Sequence, residues 1–485
     1  MKKNCLLLFF WALPLLPVCA QDAFRGAYFM DTYLYGHTMN PALCANRSYA
    51  SLATGLIDLG VQSNMGFSTF FYPTRQGEMV SFLSDQVPSE TFLKKLNKNN
   101  TEGASVRMDL LNFGFWTSRN QFHSFSFSIH VLEDSAVPAE IFRFLKDGTS
   151  DGTDYSFAGL GMRARAYGQL AYGISFPVTD RIRIGGKVKG LIGLAYADAS
   201  FSRFDVTLSG QRWSVATQGQ LYASNLPATR KTGPVSVSEV MDLDGFNYEE
   251  LRPSGYGAAV DVGITWDLMP WLQLSASVTD LGLIHWNMDR LHTQGSWEYT
   301  GFENISFTED NNLQAQLDAK MKELDNLFLF TADGKTSRVD LLPATFYAGA
   351  KFRPASWFSA GLLGTYRSQG KYSWAEMRTA LNLEPCHWFG LSGSAAYGTL
   401  GPRFSSAMSL RLAVLSLFLG TELSSPYMIS TDPRASHTLR DYFSGDVVAM
   451  PRDQLNVNVF FGLNLVFGRK PAQREQAVIV GNMAF

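Results

Sequence analysis

Between residues 181 and 200 the chain sorts its residues by face. Ile182, Ile184, Val188, Ile192 and Leu194 fall on one face of an extended strand, and Arg183, Lys187 and Lys189 on the other. Alternate residues of a strand point to opposite faces, so this pattern predicts a ribbon with one oily and one ionised side. The last such segment repeats it, with Val457, Val459, Phe461, Leu463, Leu465 and Phe467 opposite Asn456, Asn458 and Asn464. Fourteen segments read this way: 56–72, 105–117, 121–133, 160–177, 181–200, 254–267, 271–286, 342–353, 357–368, 371–383, 387–398, 403–413, 414–423 and 453–468. Each is long enough to cross a bilayer obliquely.

The links between segments fall into two classes. Ser118-Arg119-Asn120, Val178-Thr179-Asp180, Leu268-Met269-Pro270, Pro354-Ala355-Ser356, Glu384-Pro385-Cys386 and the turn at Ala413-Val414 are short. The links at 73–104, 134–159, 201–253, 287–341 and 424–452 are long. One trimmed end and one elaborated end is the habit of outer-membrane barrels. Closure pairs every strand edge, which hydrocarbon demands. A charge on the lipid side at mid-bilayer costs about 2–4 kcal/mol, so the ionised faces must look inward. The expected fold is therefore all-β, a transmembrane antiparallel barrel of about 14 strands.

Composition agrees. Only 17% of residues are charged, 13% are aromatic, 42 are Gly, and no run of 18 apolar residues occurs. The formal net charge is −2, which implies no nucleic-acid partner. Lys2 and Lys3, the apolar stretch Leu6 to Leu16 and the small residues before Gln21 read as a secretory leader over 1–20. The expected division is then a plug at 21–55, a barrel at 56–468 and a tail at 469–485 that enters the periplasm. Cys44 and Cys386 are too few for a disulfide framework and are read as free thiols, with a single bond between them as the alternative.

By this register the lumen holds Asp58, Arg107, Asp109, Arg163, Arg165, Lys187, Lys189, Asp261, Lys351, Glu376, Arg378, Arg411 and Glu422. Both signs are present, so the charges either pair and stiffen the interior or line a path for a solute. One residue breaks the pattern. Leu272, Leu274, Ala276 and Val278 face lipid, so Asp280 would as well. A bulge or kink over Thr279–Gly282 would turn it away. That site is either an ordinary bulge or, at Asp280 and Gly282, an opening in the wall.

A barrel of fourteen strands is too wide to be filled by wall side chains alone. The segment 21–55 fits as filler: Pro41 stiffens the chain, Asn40 and Asn46 can bond exposed backbone, and Ala42 and Ala45 pack closely. In the long links, 89–98, 138–146 and 312–328 show helical periodicity. The seven His lack metal-ligand spacing, and no nucleotide loop or hydrolase elbow occurs, so neither cofactor, metal nor enzymatic activity is expected. His130 beside Ser126 and Ser128 is the one arrangement from which a barrel hydrolase could be assembled.

An N-terminal segment carrying Asn40-Pro41-Ala42 ahead of fourteen strands resembles the FadL family of outer-membrane transporters for long-chain fatty acids and other hydrophobic compounds. That resemblance implies a hatch at Asn40, Pro41 and Ala42 and a lateral wall kink. The stretches HTMNPALCA, VPAEIFRFLKDG, RIGGKVKGLIG, SASVTDLGLIHW and GLNLVFG are similar to an uncharacterised outer-membrane barrel family. The expected function is passive uptake of a hydrophobic or amphipathic small molecule across a Gram-negative outer membrane. The alternative is a scaffold barrel attached to a secretion or cell-surface complex through a periplasmic or surface protein partner. Membrane lipid surrounds the barrel in either case.

Overall fold

The computed structural model describes residues 24–74, 79–148, 153–209, 212–226, 233–236, 252–299, 322–324, 326–424, 428–430, 449–451 and 456–468. The expected leader over 1–20 and the tail over 469–485 lie outside these residues. Fourteen antiparallel strands form a closed ring. They are β1 (Ser48–Leu52 continued by Ile57–Ser63), β2 (Asn99–Trp116), β3 (Phe122–Pro138), β4 (Gly161–Pro177) and β5 (Ile182–Leu208). β6 (Gly255–Met269), β7 (Leu272–Tyr299), β8 (Leu329–Leu341 continued by Ala344–Ala355), β9 (Phe358–Ser368) and β10 (Trp374–Cys386) follow. β11 (Phe389–Gly398), β12 (Gly401–Leu412), β13 (Leu415–Leu423) and β14 (Asn456–Phe467) complete the wall. β14 returns to pair with both segments of β1, which closes the ring.

Six short turns join the expected strand pairs, three of them slightly later than read, at Pro270-Trp271, Ser356-Trp357 and His387-Trp388, because the preceding strands run on through Met269, Ala355 and Cys386. A two-residue turn joins β12 to β13 with Leu412 opposite Leu415. Ala413 adopts φ 53 there, a left-handed conformation that lets the chain reverse without glycine. Trp271, Trp357 and Trp388 stand exposed at three turns on this end. Aromatic rings at that level suit the lipid–water boundary, where one end of the ring is wet. Between the ends, Val188, Tyr256, Val262, Leu381 and Leu465 are among the exposed apolar residues of the outer surface. None of the described helices is long and apolar enough to cross a membrane.

Three expectations are corrected. The wall begins at Ser48 rather than 56, because Ser48–Leu52 already pairs with β2 and β14. Ala53, at φ 58, interrupts β1 opposite a register shift in β2 between Asp109 and Leu111. The strand read through residue 72 ends at Ser63, and a short helix, Phe67–Phe70, follows. The links at 201–253 and 287–341 contain strand rather than loop alone. β5 and β7 run far past the membrane-spanning length, and Trp213–Ser224 pairs with both of them, above the start of β6. These extensions keep one sheltered face, with Leu291, Thr293 and Trp297 buried on β7, but Thr293 and Gly295 interrupt its apolar run, so period-two reading stops short of them. Of the helix expected over 312–328, only 322–324 and 326–328 are described, with helical turns at 322–324 and 326.

Helices do occur in two other loops, at Ser89–Leu93 and Ala139–Asp147. Phe92 and Phe142 pack edge to face at 6.3 Å, and Phe144 packs on Tyr155 and Phe157 at 5.3 and 5.7 Å. The helices thus join the loop before β2 to the extended sheet and form one cap on the loop side.

Candidate functional site

Residues 24–47 run inside the barrel as a plug with no strand pairing of their own, only two 3-10 turns at Arg25–Ala27 and Gly36–Thr38. Nearly all are buried. The wall receives them at inward-facing glycines. Phe24 lies over Gly420, Phe29 over Gly361, Tyr35 over Gly462 and Pro41 over Gly185, each so close that an added Cβ would overlap the plug. Aromatic rings supply the bulk that a wide bore lacks, and glycine makes the depth for them.

Asn40, Pro41 and Ala42 form the most specific contact. The Asn40 Oδ1 accepts the Ala42 N–H at 2.9 Å, which fixes the turn. The Asn40 Nδ2 donates to the Tyr28 hydroxyl at 3.2 Å and to the carbonyls of Ile264 and Ala276 at 3.3 and 3.4 Å. Ser277 Oγ donates to the Met39 carbonyl at 2.7 Å. Asn is needed here because one side chain must accept locally and donate to the wall, and Gly263 leaves it room.

Charge ties down the rest of the plug. Arg25 Nε donates to Glu376 Oε1 at 2.5 Å. Glu376 and Glu422 are shared with Arg378 and Arg403, with Arg403 3.2 Å from Glu376. Trp374 lies under the Arg25 and Arg403 guanidiniums at 4.5 and 5.4 Å. Asp31 meets Lys351 at 2.6 Å and also Arg353, and the Glu384 carboxylate accepts the backbone N–H groups of Asp31 and Thr32. Lys187 donates to the His37 carbonyl at 3.1 Å, and Arg411 to Asn46 at 3.0 Å.

The other inward charges pair above or beside the plug. Arg107 is 3.0 Å from Asp109, and Asp58 sits across the strand pair from Arg107. Arg163 meets Asp198 at 3.0 Å, and Arg165 meets Asp340 at 2.9 Å and Asp134 at 3.3 Å. Lys189 lies between Asp261 and Asp280 at 2.8 and 2.6 Å. These inward charges are paired in a crowded interior.

Asp280 sits on a bulge. It adopts φ 61, and the β6–β7 register shifts beside it between Val260 and Val262. Its backbone N–H donates to Asp261 at 2.8 Å. Below the bulge Ser275, Ser277 and Thr279 face inward, and above it Ile284, Trp286 and Met288 do. The extra residue therefore exchanges the two faces of β7. β8 breaks at Leu342-Pro343 at the same height, so the two strands keep one register, from Leu272 opposite Phe352 to Leu283 opposite Leu341. Gly282 is paired with Ala259 on one side, and its carbonyl accepts the Leu342 N–H at 3.0 Å on the other. The wall is closed at this point.

Between the plug and the upper bore lies a small polar chamber of about 20 Å³, room for about one water molecule. Arg25 and Thr38 of the plug, Arg107, Lys189, Asp280 and Arg367 line it, with the rings of Tyr167, Tyr347 and Trp374. Sequence reasoning missed Arg25, Trp374, Arg403 and Trp286. Arg403 shares the inward parity of Arg411, and Trp374 that of Glu376, so both were available to it. Trp286 was not, because its parity holds only above the bulge. Cys44 and Cys386 are not joined in a disulfide; Cys44 Sγ lies 3.3 Å from Ser175 Oγ. His130 does bond Ser128 at 2.9 Å, and both side chains are buried. Among the described residues no group of three His, Cys, Asp or Glu could hold a metal.

The model of a family of unknown function (DUF5723) matches residues 41–422. The chain belongs to this family. No curated protein matches it. Among solved structures it is similar to a Pseudomonas aeruginosa FadL homologue, at 10% identity over 93% of this chain and 99% of that one, with a TM-score of 0.44. It is also similar to the Ralstonia pickettii toluene transporter TbuX, at 8% identity over 90% and 95% with a TM-score of 0.40. The P. putida toluene transporter TodX follows at 7% identity, the same coverages and a TM-score of 0.40.

Proposed function

We propose that this member of a family of unknown function is a plugged outer-membrane barrel through which an amphipathic small molecule enters, with movement of the plug as the gating step. One observation carries the reading: residues 24–47 fill the bore without joining the sheet. Hydrogen bonds, ion pairs and ring contacts hold them, and such contacts can be exchanged without opening a strand ladder. The lining beside the plug favours an amphipathic solute once the plug shifts, since aromatic faces from Tyr167, Tyr347 and Trp374 stand among the cations Arg107, Lys189 and Arg367. In this reading Asn40, Pro41 and Ala42 act as the hatch, and the paired lumenal charges form a path that opens as the plug shifts.

A disulfide tether tests it. Ser175→Cys in a Cys386→Ser background would set a second sulfur beside Cys44. Oxidation should abolish uptake of oleate by cells carrying the barrel, and reductant should restore it. Uptake that ignores the tether counts against the gating plug.

The scaffold reading draws on a different observation. The extended β5 and β7 and the packed cap give the loop side a large rigid surface suited to a protein partner at the cell surface. Under it, the tether leaves the cell's surface assemblies intact and no solute follows the plug.

A further inference from the structure

The plug is not the only thing across the bore. Above the chamber, wall side chains alone form a roof. Its apolar part is Leu132 of β3, Tyr167 of β4, Leu191 and Tyr196 of β5, and Ile284 and Trp286 of β7, all less than 5% exposed and in one cluster. Trp286 is wedged where any side chain at Gly193 or Gly255 would meet its ring, and it packs on Tyr196 at 5.0 Å between centroids. Its polar part crosses the ring. Gln369, just past the end of β9, donates its Nε2 to Asp134 on β3, and β3 and β9 stand nearly opposite one another. Arg165 of β4 then bridges Asp134 to Asp340 of β8. None of these residues belongs to the plug.

We infer that this roof is a second closure in series with the plug, so that the chamber is sealed from both sides and opens to one at a time. The roof has a rigid member and an exchangeable one. Trp286 is fixed inward by the bulge at Asp280 and by close packing. The Asp134–Gln369 contact is a single side-chain hydrogen bond across the bore, from the residue after β9 to β3, which can break without disturbing any ladder. Opening from the loop side therefore begins at Gln369. The inference concerns what separates the chamber from each side and holds whatever solute crosses.

Two measurements test it on the full barrel. In planar bilayers, deletion of 24–47 alone should give no steady conductance above bare lipid. The roof variant Asp134→Ala/Gln369→Ala/Trp286→Ala alone should give none either, and the two changes together should give a steady current. Steady current from the plug deletion alone overturns the inference. Should the deletion fail to yield a folded, heat-modifiable barrel, a thiol reporter decides with the plug in place. Thr345 lines the chamber. Thr345→Cys, with Cys44→Ser and Cys386→Ser, should resist a charged maleimide added to whole cells, and should be labelled once the roof variant is added. Labelling under an intact roof, or none after its removal, overturns the second closure.

Discussion

The two halves of the bore are filled by different means. On the turn side a separate segment, residues 24–47, supplies the bulk, and the wall supplies glycines, hydroxyls and charges to receive it. On the loop side the wall fills itself, with Trp286, Tyr196 and Leu191 packed across it. The first arrangement is separable, since the plug makes no ladder. The second is part of the sheet and depends on its register. The same strands serve both, and the bulge at Asp280 marks the change on β7. A wide barrel can thus hold a separate filler and one built from its own wall in a single tube.

The largest effect should come from shifting the parity of the upper half of β7. Inserting one alanine between Gly282 and Leu283 would exchange the faces above it, turning Trp286 and Met288 out and Leu283 and His285 in. The expected result is loss of the heat-modifiable folded barrel on gels. Asp280→Asn, which tolerates the left-handed conformation, should still fold. Equal folding of the two would break the comparison, because the upper filling would not depend on register.

A smaller effect, confined to the plug half, should follow Glu376→Ala. It leaves Arg25, Arg378 and Arg403 buried around Glu422 alone. Removing one partner of a buried pair costs about 3–5 kcal/mol. The folded barrel should show a plug cut readily by added protease, with the near-ultraviolet signal of Trp286 and Tyr196 unchanged. A change in both halves would mean that they are not separable.

The smallest should be Arg212→Ala, at the tip of the extended sheet. Its contact with Glu298 at 2.6 Å joins two largely exposed side chains. Exposed pairs contribute about 0–1 kcal/mol, so urea unfolding in detergent should shift little. A larger shift would make the loop-side extension part of the upper filling rather than an appendage.

How much of this was legible in the sequence follows the same division. The strand number, the short turns and the inward placement of charge follow from period two and the cost of charge in lipid, and β4, β5 and β14 display them directly. The Asn40-Pro41-Ala42 segment could be singled out because it lies beside no period-two pattern. What could not be read is whatever depends on a change of parity. Asp280 gave a warning, but its outcome, Trp286 facing inward, required the structure. Trp213–Ser224 escaped because Thr217 and Gly219 share the sheltered face with Leu221 and Ala223 and interrupt its apolar run. The inward glycines were visible as residues and silent as partners, since what each one accommodates, such as Phe29 at Gly361, lies hundreds of positions away.

The seam between β1 and β14 carries a consequence for biogenesis. The first strand cannot meet the last until the whole polypeptide has been exported, and the segment with Phe24, Phe29 and Tyr35 precedes that first strand directly. It must be laid into an open, curling sheet before the edges zip at Ser48 and Phe467, because a finished cylinder would have to be threaded. The filler is then enclosed as the vessel is made, and errors in its placement become errors of assembly.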